Sequence, residues 1–414
     1  MFIHITQIKK QLNYRKTHRT FETLPLGSAI KFRRKELGMT LQEAAEDLTS
    51  VSYLSKLENN LIKPNMKYVK LYEKRLDASF GEHVYDSSYH DQIKQCLLAL
   101  FLEQPLSASI FQQHESKQNH QSYLILLSYF VTLGEIDQIK LYDEYLKNYI
   151  SNLTDDEMLL YLACVTQILM IEERYVEAYD LIKLYPNIGE EQALSESIQS
   201  KYKLTCAFHL MRTSEIENTY EKHISNLQNM HAFHLLSKTH IEYLIYQTYY
   251  LNADDIKQKL KQIPSMSEID KLYIQALSYY HNGDYEKSKS LCQSMNHDEE
   301  RWLILYVLNL DHLVKTEELQ AILEDKKAFC FKKRSSELII KHLIYKYHKN
   351  SNHLFSYLRE LLSNRYLLTD DYQTLAYLYK DVSTLFSLHF FYKEAHQALH
   401  QWLIEHQLLT KSYR

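Results

Sequence analysis

The sequence predicts an all-α protein in two parts, a head of four short helices followed by a long array of helix pairs. Three observations lead there. Only 6 Gly and 5 Pro stand against 35 Tyr and 15 Phe in 414 residues, so breakers are scarce and bulky residues abound. Between residues 26 and 80, helix-start caps and helix-end Gly or Asn residues mark out four short segments. Beyond residue 91, helical stretches alternate with short polar breaks at a nearly constant interval.

Residues 1–25 form a basic extension in which Lys9–Arg19 holds five cations. It reads as a helical or mobile segment without base contact, a minor-groove arm being the alternative. The head spans 26–80. Its first helix runs from about Ser28, as a cap, to Leu37 and closes at Gly38. Thr40 with Glu43 makes a capping box for the second helix, whose buried stripe is Leu41, Ala44, Ala45 and Leu48. After a turn at Thr49-Ser50, a third helix carries Val51, Leu54 and Leu57 inward and ends at Asn59-Asn60. Lys63-Pro64-Asn65 turns the chain again. Asn65 caps a fourth helix with Met66, Val69, Leu71, Tyr72 and Leu76 as its apolar positions. A tight turn between the second and third of four short helices is the geometry that lays one helix in a DNA major groove.

Residues 81–90 are a polar linker, and 91–414 form the array. Breaks fall near Gly134, Arg174, Thr213, Asn252, Gly283, Thr316, Asn350 and Phe391. Their spacing averages about 37 residues, close to the ~34 of tetratricopeptide helix pairs. The clearest copy is Ala276–Leu291, with Asn282-Gly283-Asp284 as its turn; Arg174–Leu181 and Phe391–Leu399 repeat the second-helix half. Stacked pairs of this kind bury their apolar faces on one another and leave a concave groove.

Composition narrows the class. At 45% hydrophobic and 24% charged the chain is globular. Five scattered cysteines without a C-x-x-C pair fit a reducing cytoplasm and argue against a disulfide scaffold or structural zinc. The most apolar stretches, Tyr123–Leu133 and Met158–Ile171, fall short of the ~20 residues of a membrane span. Met1–Lys10 lacks the apolar core of a signal peptide. A soluble cytoplasmic protein with no membrane partner is expected. Charge is uneven: residues 1–80 carry 15 Lys and Arg against 8 Asp and Glu, net +7, and the remainder carries 33 against 44, net −11. A basic head on an acidic body concentrates affinity for a polyanion at one end.

The head residues form the run Gly27-x-x-Ile30-Lys31-x-x-Arg34, Gly38-x-Thr40, Ala44-Ala45-x-x-Leu48, Ser52-x-Leu54-Ser55-Lys56-Leu57-Glu58-Asn59 and Lys63-Pro64-Asn65. This resembles the Cro/C1-type (XRE) DNA-binding domain, and the opening Leu26-Gly27-Ser28-x-Ile30-Lys31 looks like PlcR- and Rgg-type regulators. The resemblance implies a structural ion pair between Arg34 and Glu58. Two positions depart from the pattern: Leu41 stands where Gln is common, so that contact either passes to Gln42 or is lost, and Asn60 stands where Gly is usual. Outward positions of the third helix and its lead-in, Ser50, Ser52, Tyr53, Ser55 and Lys56, are candidate DNA contacts. Ser50 reads equally as a helix cap. Arg33, Lys35, Lys63 and Lys67 are expected near phosphates.

Little points to catalysis. His396 and His400, or His231 and His234, share a helix face but lack the H-E-x-x-H pattern. No G-x-S-x-G, P-loop or dinucleotide motif occurs. No enzyme activity, metal or cofactor is expected. A DNA-binding head on a helical array resembles the Rap–Rgg–NprR–PlcR–PrgX (RRNPP) group of peptide-pheromone receptors. That likeness implies a cytoplasmic homodimer acting in quorum sensing, with double-stranded DNA and a short signalling peptide as partners. Gln167, Tyr246, Gln247 and Asn309, on first helices of pairs, are candidate peptide contacts. The alternatives are a constitutive repressor whose repeats only dimerise or hold a protein partner, and a sequestering protein that uses its head little.

Overall fold

The structure, a computed structural model, describes residues 5–17, 26–59, 61–62, 64–78, 87–117, 119–147, 149–185, 192–263, 266–295, 298–326, 330–347, 351–365 and 368–410. Among them are 23 helices and no strand. The chain divides into two compact units, Met1–Ile168 with Asp180–Gln199, and Leu169–Tyr179 with Ser200–Arg414.

The first unit begins with α1 (Ile5–Thr17). Ile8 and Leu12, one helical turn apart, are fully buried, and Gln7 Nε2 donates to Lys147 O at 3.1 Å. The described part of the extension is thus an anchored helix; Arg19 lies outside the described residues. The head follows as α2 (Leu26–Glu36), α3 (Leu41–Ala45), α4 (Val51–Glu58) and α5 (Met66–Arg75). Its core is Ala29, Ile30, Ala44, Ala45, Leu54, Leu57, Val69, Tyr72 and Leu76. The caps are those the residues demand. Thr40 Oγ1 accepts from Glu43 N at 3.2 Å while Glu43 Oε2 accepts from Thr40 N at 2.6 Å, and Asn65 Oδ1 accepts from Lys67 N. Three expectations need correction. α2 starts at Leu26, so Ser28 lies inside the helix and is buried instead of capping it. Val51 and Met66 are exposed, because each sits in the first turn of its helix, beyond the reach of the core.

The array comprises α6 (Ser87–Leu102), α7 (Ala108–His114), α8 (His120–Leu133), α9 (Ile136–Leu146), α10 (Asp155–Ile171), α11 (Tyr175–Ile182) and α12 (Gln192–Leu210). It continues through α13 (Thr213–Asn229), α14 (Phe233–Gln247), α15 (Ala253–Lys261), α16 (Glu268–His281), α17 (Tyr285–Gln293), α18 (Glu300–His312) and α19 (Thr316–Asp325). The last helices are α20 (Arg334–Lys346), α21 (Ser351–Ser363), α22 (Tyr372–Leu388) and α23 (Tyr392–Thr410). One turn recurs: a residue in the left-handed region, followed by an N–H that reaches back five residues. It joins Glu135 N to Phe130 O, Arg174 N to Leu169 O, Arg212 N to Ala207 O, Asp284 N to Tyr279 O, Lys315 N to Leu310 O and Phe391 N to Phe386 O, all at 2.8–3.1 Å. This is the Schellman closure of a helix end. The left-handed residue is Gly at 134 and 283, but Glu173, Met211, Val314 and Phe390 elsewhere. Six glycines therefore suffice for a long helical series.

In the second unit the series folds back on itself. Glu173, left-handed at the α10–α11 turn, offers its carboxylate to the start of α20, where Oε2 accepts from Ser335 N at 2.7 Å and Oε1 from Ser335 Oγ at 2.7 Å. Asp370 returns the favour for α11, its Oδ2 accepting from Val176 N at 3.0 Å while its own N–H donates to Glu173 O. Each carboxylate satisfies N–H groups that the first turn of a helix leaves unpaired. Buried Arg212 donates to Leu409 O at 2.6 Å and lies 4.1 Å over the Tyr179 ring, closing the end of α23.

Candidate functional site

The head presents α4 by its amino-terminal half. Ser50 Oγ accepts from Tyr53 N at 3.1 Å, so Ser50 is the helix cap, and it remains exposed. Ser52 and Lys56 are exposed beside it, Ser55 is half-buried, and Gln42 on α3 is exposed. Lys67 is exposed at the start of α5. Lys63 lies outside the described residues. Tyr53 turns inward instead: its ring meets Tyr68 edge-on at 5.2 Å, and its hydroxyl is buried. On a helix where Leu54 and Leu57 face the core, position 53 falls at the flank, and an aromatic ring there folds onto the next helix.

Below this face the fold uses many of the head's cations for itself. Arg34 forks onto Glu58, Nε to Oε1 at 2.6 Å and Nη2 to Oε2 at 2.8 Å, with Nη1 on Met39 O at 2.6 Å. The pair is buried, bidentate and structural, tying α2 to the end of α4. Arg33, half-buried, donates to Leu76 O at 3.1 Å and so closes the end of α5. Arg75 does the same for α3 through Glu43 O and Glu46 O, both at 3.0 Å. Lys35 sits 4.6 Å over the Tyr149 ring. The net +7 of the first eighty residues thus overstates the positive charge that faces outward, and α3 and the turn after it add exposed Glu43, Glu46 and Asp47.

The other end of α4 is held by the α9–α10 connection. Asn152 Nδ2 donates to Ser28 Oγ and to Glu58 O, both at 2.9 Å, and Asn152 Oδ1 accepts from Lys31 Nζ at 3.1 Å. Lys31 also reaches Asn59 Oδ1 at 3.1 Å. Burial, then repulsion from Lys35, brings the Lys31 ammonium down to about 8. Phe32 meets His120 edge-on at 5.9 Å, and His120 stacks on Tyr149 at 5.5 Å. Asparagine and aromatic side chains, neutral groups that a reading of charge passes over, thereby seat the head on the first helix pairs and aim the open end of α4 away from them. Nothing in the spacing of Ser28 or Asn152 announces this contact.

The second unit encloses a cavity of about 620 Å³. First helices of successive pairs line it: Phe208 and His209 from α12, Tyr246 from α14 with Tyr249 in the turn just after it, Tyr273, Leu277 and Tyr280 from α16, Ile304 and Leu308 from α18, Ile339 from α20, and Tyr377 from α22. The Glu173–Ser335 contact, a clasp between the α10–α11 turn and α20, forms part of its wall, with Asp371 beside it. His209 Nδ1 meets Asp371 Oδ1 at 2.9 Å and stacks on Tyr175 at 4.1 Å. The hydroxyls of Tyr249 and Tyr273 make no hydrogen bond among the described residues, so the lining offers polar tips on an aromatic surface. Of the expected peptide contacts, Tyr246 lines the cavity. Gln247, about 100° further round the helix, does not, and its Oε1 is buried without a partner among the described residues. Gln167 on α10 is not part of the lining either. Asn309 is a correction: fully buried, it donates to Ser288 Oγ at 2.9 Å and to Leu305 O at 2.8 Å, locking α18 to α17. The repeated spacing of Tyr273, Leu277 and Tyr280 is the signal that would have found the lining.

Among the described residues no cluster of His, Cys, Asp or Glu could hold a metal, and no helix is long and apolar enough to cross a membrane. No curated protein and no solved structure matches the chain significantly. Residues 30–83 match the family model described as Helix-turn-helix, which covers α2 to α5. The amino-terminal head is therefore a helix-turn-helix domain, the DNA-binding module of XRE-type transcription regulators.

Proposed function

We propose that the protein is a cytoplasmic transcription regulator that binds duplex DNA as a homodimer and takes a short signalling peptide in the cavity of its helical array. The matched head, with the first half of α4 free on its surface, carries the DNA-binding half of this reading. In this reading Ser52, Ser55 and Lys56 contact base edges and Gln42, Ser50 and Lys67 contact phosphates; the exposure of Gln42, Ser50, Ser52, Lys56 and Lys67 supports it. The cavity supports the peptide half. Its volume falls within the ~300–1,000 Å³ of ordinary ligand sites. Tyrosine hydroxyls can satisfy a peptide backbone, and the aliphatic lining can choose its side chains. A peptide that favours one arrangement of the dimer would shift its population and so its DNA affinity.

The double change Ser52→Ala with Lys56→Ala tests the DNA reading. Measured by fluorescence anisotropy on DNA from upstream of the protein's own gene, affinity should fall at least tenfold with the circular dichroism unchanged. Undiminished affinity would remove α4 from the DNA contact. For the second half, short peptides encoded beside the gene should raise the melting temperature of wild type and not of Tyr246→Ala. No shift with any of them would favour a constitutive repressor whose repeats only hold a partner.

A further inference from the structure

On a helix each residue stands about 100° round from the one before, so positions four apart share a ridge. In α4 the buried Leu54, Leu57 and Glu58 take the inner side. The other side carries one ridge of Val51 with Ser55 and a second of Ser52 with Lys56. A recognition helix meets base edges with its amino-terminal residues, so the first turn of α4 bears most on which sequence is read.

Most polar groups of that turn are already engaged. The Thr49 and Tyr72 hydroxyls share a hydrogen bond, Ser50 Oγ accepts from Tyr53 N at 3.1 Å, and the Tyr53 ring lies on Tyr68. Val51 keeps its methyl groups open. It is 44% exposed and stays out of the core of the head. Side chains on a helix lean toward its amino end, so the Val51 isopropyl group stands over the Ser50 tip of α4. The fold gains little from valine here, since a β-branched residue is a weaker helix former than alanine. Single apolar residues are ordinary on a protein surface, and Leu37, also 44% exposed at the end of α2, is one. Val51 differs by its place, at the tip of the helix that a helix-turn-helix domain lays in the groove.

We propose that Val51 is a specificity-determining residue of the head and reads the 5-methyl group of a thymine. The major groove offers donors, acceptors and one apolar group, the thymine methyl. An isopropyl group gains by covering that methyl. Against the amine of cytosine or adenine it takes water from a donor and returns no acceptor. The small side chains of Ser52 and Ser55 beside it let the helix come close enough for such a contact. The assignment rests on the head binding duplex DNA through α4, and it names the base chemistry that this contact selects.

The test uses the full chain and runs in two steps. Duplexes enriched from a pool with a randomised core supply a bound site. Each thymine of that site is then replaced by deoxyuridine, which removes the methyl and leaves the polar edge intact. By fluorescence anisotropy, wild-type affinity should fall about fourfold at one thymine or more, the factor that burial of a single methyl carries. Val51→Ser, which has no methyl to offer, should be indifferent to the same replacement, with unchanged circular dichroism. Leu37→Ala should keep the wild-type sensitivity. Wild type that tolerates every replacement overturns the proposal, and so does a Val51→Ser chain as sensitive as wild type. Either result leaves DNA binding by the head standing. Failure to enrich any sequence would bring down that reading and the role of Val51 together.

Discussion

At the scale of single residues, the polar groups of this fold are spent on closing helices. Arg33, Arg75, Arg212, Glu173 and Asp370 each satisfy the unpaired backbone groups of a helix end in another part of the chain. Buried histidines follow the same economy. His223 is 2% exposed and hydrogen-bonds Ser200 Oγ through Nδ1 at 3.1 Å. Burial, with Lys201 adding to it, pushes its pKa down to about 4. Between pH 6.5 and 4 the unfolded chain binds a proton that the folded one refuses, so stability falls as pH falls through that window. At pH 5 the loss relative to pH 8 is about 2 kcal/mol. Urea unfolding of wild type and His223→Gln at both pH values should show wild type losing about that much more than the variant.

At the scale of elements, the helices of the head and the turns of the array were legible for different reasons. Thr40 with Glu43, and Asn65, act as caps because a short side-chain acceptor before a helix has one favourable use. Six of the eight expected breaks fell within two residues of the left-handed turns at Gly134, Glu173, Met211, Gly283, Val314 and Phe390; Asn252 caps α15, and Asn350 lies outside the described residues. Gly134 and Gly283 were legible as the turn residues; at Glu173, Met211, Val314 and Phe390 the turn residue itself escaped notice, since a helix pair well packed on its neighbours can force a left-handed backbone on a residue that dislikes it. Val314 is the extreme case, a β-branched residue at φ 55° with 72% of its surface exposed. The left-handed region costs such a residue roughly 1–2 kcal/mol, and Asn tolerates it. Val314→Asn should therefore stabilise the protein by about 1 kcal/mol, seen as a melting temperature higher by ~2–4 °C.

At the scale of the whole molecule, the second unit owes its enclosure to contacts between residues 160 to 200 positions apart. Glu173 bonds Ser335 and Thr369, and the Thr369 hydroxyl lies 2.9 Å from Glu173 Oε2. Burial, followed by the nearby charge of Asp371, holds the Glu173 carboxyl above its usual range, so this is a group the fold retains at some expense. Glu173→Ala would strip three buried donors of their acceptor, a loss of about 2–4 kcal/mol to local closure. Hydrogen exchange should then quicken by on the order of 30-fold or more at the starts of α20 and α22, with the amides of α4 in the head unchanged. Equal protection in the variant would show that the clasp does not hold the cavity wall.

The amino-acid sequence by itself determined the helical class, most of the turn positions and the caps at Thr40 and Asn65, because each depends on residues within one helix pair or one small domain. The Arg34–Glu58 pair followed from the resemblance of the head to a known domain. Tertiary structure alone decided which cations of the head face outward, that Asn152 seats the head, which tyrosines share a cavity and that Asn309 is locked in a core. The physical reason is range. Caps and periodicity act over a few residues and leave a mark in composition and spacing. A neutral asparagine or a ring meeting a partner a hundred positions away acts only once the helices have packed, and leaves none.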